Sequence, residues 1–153
     1  MSESTHGNFT IDRSYRASPA RVFAAFADPS KKKSWFAASD THEIESFESD
    51  FRVGGIEKLH YRFGDQSPFP GALLTNDGYH HDIVPDRRIV TSSHMALAGR
   101  PISVGLVTVE LTPNSGGTDV TLTFQGVFFE GADGPEMRKG GWEALLDRLE
   151  RNL

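Results

Sequence analysis

Six histidines (His6, His42, His60, His80, His81 and His94) and 21 aspartates and glutamates are the groups here that could ligate a metal or move a proton. His80 and His81 are adjacent in a segment that reads as a strand, so their side chains leave opposite faces. No HExxH spacing occurs. Only a convergence of His60, His94 and one of the central pair from neighbouring strands would hold an ion, and neither a metal nor a cofactor is expected. Glu57, Asp82 and Glu110 fall on strand segments, where a buried carboxylate would serve as an acid or base. The ordinary place for such carboxylates is the solvated face. The one basic run, Lys31-Lys32-Lys33, reads as the wet side of a surface helix. The chain has no cysteine, which excludes disulfides, thiolate catalysis and Cys-type zinc sites. It also lacks a G-x-S-x-G elbow, a P-loop and a G-x-G-x-x-G turn.

The aromatic residues carry more of the argument. Eleven Phe, three Tyr and two Trp are enough to wall an apolar ligand pocket that needs only a few polar groups for orientation. The candidate lining residues are Trp35, Phe36, Tyr61, Phe63, Phe124, Trp142 and Leu145. Tyr79, His81 and His94 join them as polar contacts if their side of the strand faces inward.

These residues must be positioned by the elements around them. Phe9, Ile11, Arg13 and Tyr15 alternate with polar neighbours and predict a half-buried strand over 9–16. Ser18-Pro19 is a helix start, and Val22, Phe23 and Phe26 follow at helical spacing. Asp28-Pro29 ends that helix, and a second short one reaches Trp35-Phe36. Six strand segments follow, with Asn114-Ser115-Gly116-Gly117 marking a tight hairpin between the last two. Phe128-Phe129 and a glycine-rich loop, Gly131 to Gly134, lead into a closing helix; this loop reads equally as a cavity gate or as a plain connection. Trp142, Leu145, Leu146, Leu149 and Leu153 form that helix's apolar stripe. Gly141, four residues before Leu145, either leaves room for a ligand, permits close approach to the sheet, or marks a frayed turn. The order predicts an α+β domain, a curved antiparallel sheet around a long C-terminal helix, with a cavity between them.

Several segments resemble the activator of Hsp90 ATPase homologue-like (AHSA1-like) family of the START-like, or SRPBCC, superfamily. They are Ser18 to Pro29 with Trp35-Phe36, Phe51-Arg52-Val53-Gly54-Gly55, Asp82 to Val90, Gly116 to Thr123, and Gly141-Trp142 with its leucines. The resemblance implies the helix-grip (Bet v 1-like) fold over 9–153, while the polar residues 1–8 read as a flexible N-terminus. It also implies a hydrophobic cavity but no particular reaction. A small hydrophobic or amphipathic molecule is therefore the expected partner. The alternatives are a polyketide cyclase/dehydratase-like or hydrolase-like enzyme using cavity His, Asp or Glu, and a stress-related or Hsp90-associated interaction domain. The co-chaperone that names the family carries a separate N-terminal domain for which 153 residues leave no room, so an Hsp90-type partner is not expected. A net charge of −5 argues against nucleic acid. With neither a signal peptide nor an apolar run of membrane-spanning length, no membrane partner and a cytoplasmic location are expected. A homo-oligomer is compatible with the exposed edges of such a sheet.

Overall fold

The computed structural model describes residues 3–153. Seven antiparallel strands form one curved sheet: β1 (Thr5–Tyr15), β2 (His42–Ser49), β3 (Ile56–Phe63), β4 (Leu73–Val84), β5 (Arg88–Leu97), β6 (Arg100–Asn114) and β7 (Gly117–Phe128). Their order across the sheet is β1-β7-β6-β5-β4-β3-β2. Strands β2 to β7 are a meander. β1 instead pairs with the last strand, so the chain after β1 must cross to the far edge. Helices α1 (Pro19–Ala27) and α2 (Pro29–Lys32), then a π-helical turn over Lys33–Ala37, make that crossing. The closing helix is α3 (Gly134–Arg151).

Local chemistry explains the breaks. The Ser18 hydroxyl accepts from Arg21 N at the start of α1, with Pro19 at the first helical position. Asp28 closes α1 in an extended conformation and its carboxylate caps α2 by accepting from Ser30 N. Register shifts at Ile44/Ser46, His80/Asp82 and Met95/Ala96 bend the sheet.

The core lies on the concave face. Ile11 and Tyr15 of β1, Val107 and Val109 of β6 and Leu122 and Phe124 of β7 are buried there. α3 covers them with Leu146 and Leu149, both fully buried, each worth about 1.5–3 kcal/mol in surface removed from water. The Tyr15 hydroxyl donates to Leu146 O at 2.8 Å and fixes the helix to the first strand. Burial raises the pKa of that hydroxyl.

Two sequence expectations are corrected here. Thr5 to Asn8 are not a flexible end: they pair with Gln125 to Phe128 of β7. Met1 and Ser2, which that expectation also covered, lie outside the described residues. Nor does Gly141 permit close approach to the sheet, because a Cβ added there would meet nothing within 4 Å and the residue is exposed.

Candidate functional site

Between the concave face and the helices lies a cleft of about 40 Å³. One wall is apolar: Phe26 and Phe36 from the crossing segment, Trp142 from α3, and Ile89, Val107 and Val109 from the sheet. The floor is polar, with Glu57 from β3, Asn76 from β4, Thr91 and Ser93 from β5, and Lys32 reaching in from α2. Gly78 also lines the cleft, where β4 runs close against the β5 backbone. A Cβ there would lie 1.9 Å from Ser92 O, so no larger residue fits without moving the sheet.

Lys32 and Glu57 form an ion pair at 2.7 and 2.9 Å, one Nζ to both carboxylate oxygens. Both side chains are only 8% exposed. The ammonium also lies 4.6 Å from the centre of the Phe36 ring. Ser49 at the end of β2 donates to Glu57 Oε1 at 3.2 Å. Its oxygen lies 3.2 Å from His80 Nε2, and His80 Nδ1 lies 3.0 Å from Thr91 Oγ1. The Ser49 proton goes to Glu57, so His80 Nε2 donates to Ser49 and Nδ1 accepts from Thr91. Burial, which outweighs the attraction of Glu57, lowers the His80 pKa and keeps the ring neutral. Five side chains from five elements thus form one closed network, and each of its members has a partner.

A second cluster sits where α3 begins. The Arg138 guanidinium donates to both Asp133 oxygens at 2.7 and 2.8 Å and to Ser103 Oγ at 3.0 Å. It lies 5.0 Å from the centre of the Phe128 ring and 5.7 Å from that of Phe124. The glycine-rich loop before α3 therefore supplies a carboxylate that holds a buried arginine, while Phe128 is core and Phe129 points outward.

Of the residues singled out by sequence, Phe36 and Trp142 line the cleft, with ring centres 5.8 Å apart. Trp35 is fully buried beside it and donates to Ala25 O at 2.9 Å, a packing role. Tyr61 and Phe63 face inward but away from the cleft. Tyr61 stacks on His42 at 3.8 Å and meets Phe63 at 5.3 Å, and burial pushes its hydroxyl up to about 12. Phe124 stacks on Phe9 at 5.2 Å in the core, and Leu145 packs against that core.

Tyr79, His81 and His94 are corrections. All three project from the outer face of β4 and β5 and are exposed; their neighbours His80 and Ser93 are the inward residues. His60, on β3, pairs with Asp77 at 2.9 Å, and among the described residues no three metal-ligating side chains converge. Asp82 and Glu110 keep the solvated positions expected of strand carboxylates, whereas Glu57 does not.

Sequence reasoning missed Lys32 and Arg138, and it weighed Glu57 and His80 only as an isolated carboxylate and a metal ligand, not as parts of the cleft. Some signal existed for two of them. Glu57 shares strand parity with Leu59 and Tyr61, and Arg138 lies four residues before Trp142 and eight before Leu146 on the helix stripe. A larger groove of about 310 Å³ at the β4–β5 turn is lined mainly by exposed residues, among them the charged Arg87, Arg88 and Glu110. It contains no buried polar group and no residue of α3.

Comparison with known proteins places the fold. A protein from Rhizobium loti is 42% identical, with a TM-score of 0.88 over 99% of both chains. An uncharacterised protein from Rhizobium leguminosarum is 34% identical, with a TM-score of 0.91 over 99% of this chain and 97% of that one. The AHSA1-like protein from Aeromonas hydrophila is 25% identical, with a TM-score of 0.70 over 95% of this chain and 91% of that one. No curated protein matches the chain. No helix among the described residues is long and apolar enough to cross a membrane. The family model for activator of Hsp90 ATPase homolog 1-like proteins matches residues 16–153, and the chain belongs to that family.

Proposed function

We propose that this chain binds a small amphipathic molecule in the cleft between the sheet and α3. The observation that carries this reading is a polar floor set inside apolar walls. A cleft of about 40 Å³ holds roughly three waters, far below the ~300 Å³ of ordinary ligand pockets. A ligand larger than its polar head therefore seats its body by displacing Trp142 and Phe36, two neighbouring rings that line the cleft.

Native mass spectrometry of the protein from its own host should find a co-purifying small molecule. Titration with the neutral dye N-phenyl-1-naphthylamine should give saturable fluorescence with energy transfer from Trp142, and Trp142→Phe should reduce that transfer. If no small molecule co-purifies and dye emission does not saturate, the reading fails.

A second reading, an enzyme of the cyclase, dehydratase or hydrolase kind, is favoured by one observation. Glu57 and Thr91 face the cleft while being coupled through Ser49 and His80. On that reading Glu57→Gln would abolish turnover of the co-purifying molecule without releasing it.

A further inference from the structure

The chemistry of the cleft floor restricts what the polar end of a ligand can be. Among the described residues, Lys32 and Glu57 are the only charged ones lining the cleft, and each is committed to the other through both carboxylate oxygens. Ser49 holds Glu57 from behind, and the Phe36 ring lies over the Lys32 ammonium. Neither charge can turn to a ligand without leaving its partner buried and unpaired. A carboxylate or an ammonium entering the cleft would thus lose its hydration and find no free opposite charge.

What the floor does offer is neutral. Ser93 Oγ donates to Asn76 Oδ1 at 2.8 Å, which uses the amide oxygen and fixes the amide. Asn76 Nδ2 has no hydrogen-bond partner among the described residues, and it is not one of the fully buried side-chain atoms. Ser93 Oγ keeps its lone pairs free. Both residues line the cleft. A fixed N–H donor therefore sits beside a hydroxyl acceptor, and this pair is complementary to a group that presents a carbonyl oxygen next to an N–H.

We infer that the cleft selects an uncharged, carboxamide-like head group through Asn76 and Ser93, and that the closed Lys32–Glu57 pair excludes charged heads. This rests on the binding role proposed above and specifies its ligand class.

Acetamide, acetate and acetamidinium have the same shape and differ in charge, and each is small enough to test the closed cleft. Their binding is read from NMR shifts of the Trp142 indole and Asn76 side-chain amide signals during titration. Acetamide should bind at least about tenfold more tightly than either ion. Asn76→Ala, which alters no charge, should weaken acetamide by at least about fivefold. Glu57→Gln, which frees the Lys32 ammonium, should reverse the preference toward acetate. The inference is overturned if acetate or acetamidinium binds the unaltered protein as tightly as acetamide, or if Asn76→Ala leaves acetamide binding unchanged. Saturable dye binding with no response to any of the three small probes would overturn this inference while leaving the binding role standing.

Discussion

Lys32–Glu57 joins residues 25 apart, from α2 and β3, whereas Arg138–Asp133 joins residues five apart at the start of α3. Both cations are nearly buried, at 8% side-chain exposure, yet their surroundings differ. The first pair is tied to Ser49, His80 and Thr91 on three further strands and has open volume beside it. The second is local, touches the sheet at Ser103, and is packed on two aromatic rings. A network that needs five elements in register forms only when α2 and the four strands β2 to β5 are in place. A bidentate pair at one helix end needs only that end. The difference separates the proposed site from a fastening. Charge kept beside empty space can select what enters, whereas charge sealed by Phe124 and Phe128 pins α3 to β6.

The comparison breaks most readily at Lys32. Lys32→Met leaves the Glu57 carboxylate buried without its ion partner and should lower the unfolding free energy by about 3–5 kcal/mol in urea titration. The double variant Lys32→Met/Glu57→Gln removes both charges and should recover most of that loss, because a whole pair is often replaced at little cost. A double variant no more stable than the single one would show that the paired charges are not what Lys32 supplies.

How much of this was legible in sequence depends on the kind of signal. The inward set of β1, the Ser18-Pro19 start, the 114–117 hairpin and the leucines of α3 were readable because apolar spacing and turn chemistry act locally. The site was not. A strand's period of two says that Tyr79 and His81 share a face and His80 the other, but not which face is buried. β4 has few apolar residues after Leu74 to decide it, and the register shift at His80/Asp82 interrupts what alternation there is. Lys32 was hidden for another reason. In a run of three lysines nothing marks the middle one, and only the π-helical turn that follows, together with Glu57 waiting on β3, explains its burial. Long-range pairing of opposite charges is invisible to any local pattern.

Arg138 sharpens the comparison with a smaller effect. Arg138→Ala should cost about 2 kcal/mol, from the lost hydrogen bonds and ring contacts. Asp133, left alone, is 23% exposed and sits at the N-terminal end of α3, where a carboxylate is favoured. Its loss of a partner is therefore milder than that of Glu57. Arg138→Lys should recover less than half, since an ammonium lacks the planar fork that holds both Asp133 oxygens. A loss equal to that of Lys32→Met would erase the distinction between the two pairs.

The smallest effect concerns the helix segment between the two clusters. Gly140 and Gly141 lie between Arg138, fastened to β6, and Trp142, which walls the cleft. A Cβ at either glycine would meet nothing within 4 Å, so packing does not require them. In a helix interior each costs up to about 1 kcal/mol relative to alanine. Gly141→Ala should therefore stabilise the fold by roughly 0.5–1 kcal/mol. If these glycines let α3 flex so that Trp142 can swing aside, the stabilised variant should bind N-phenyl-1-naphthylamine several-fold more weakly. Acetamide, which needs no opening, should bind as before. Stabilisation with unchanged dye affinity would instead place the opening in the Trp142 and Phe36 side chains, with α3 held still from Arg138 to Leu149.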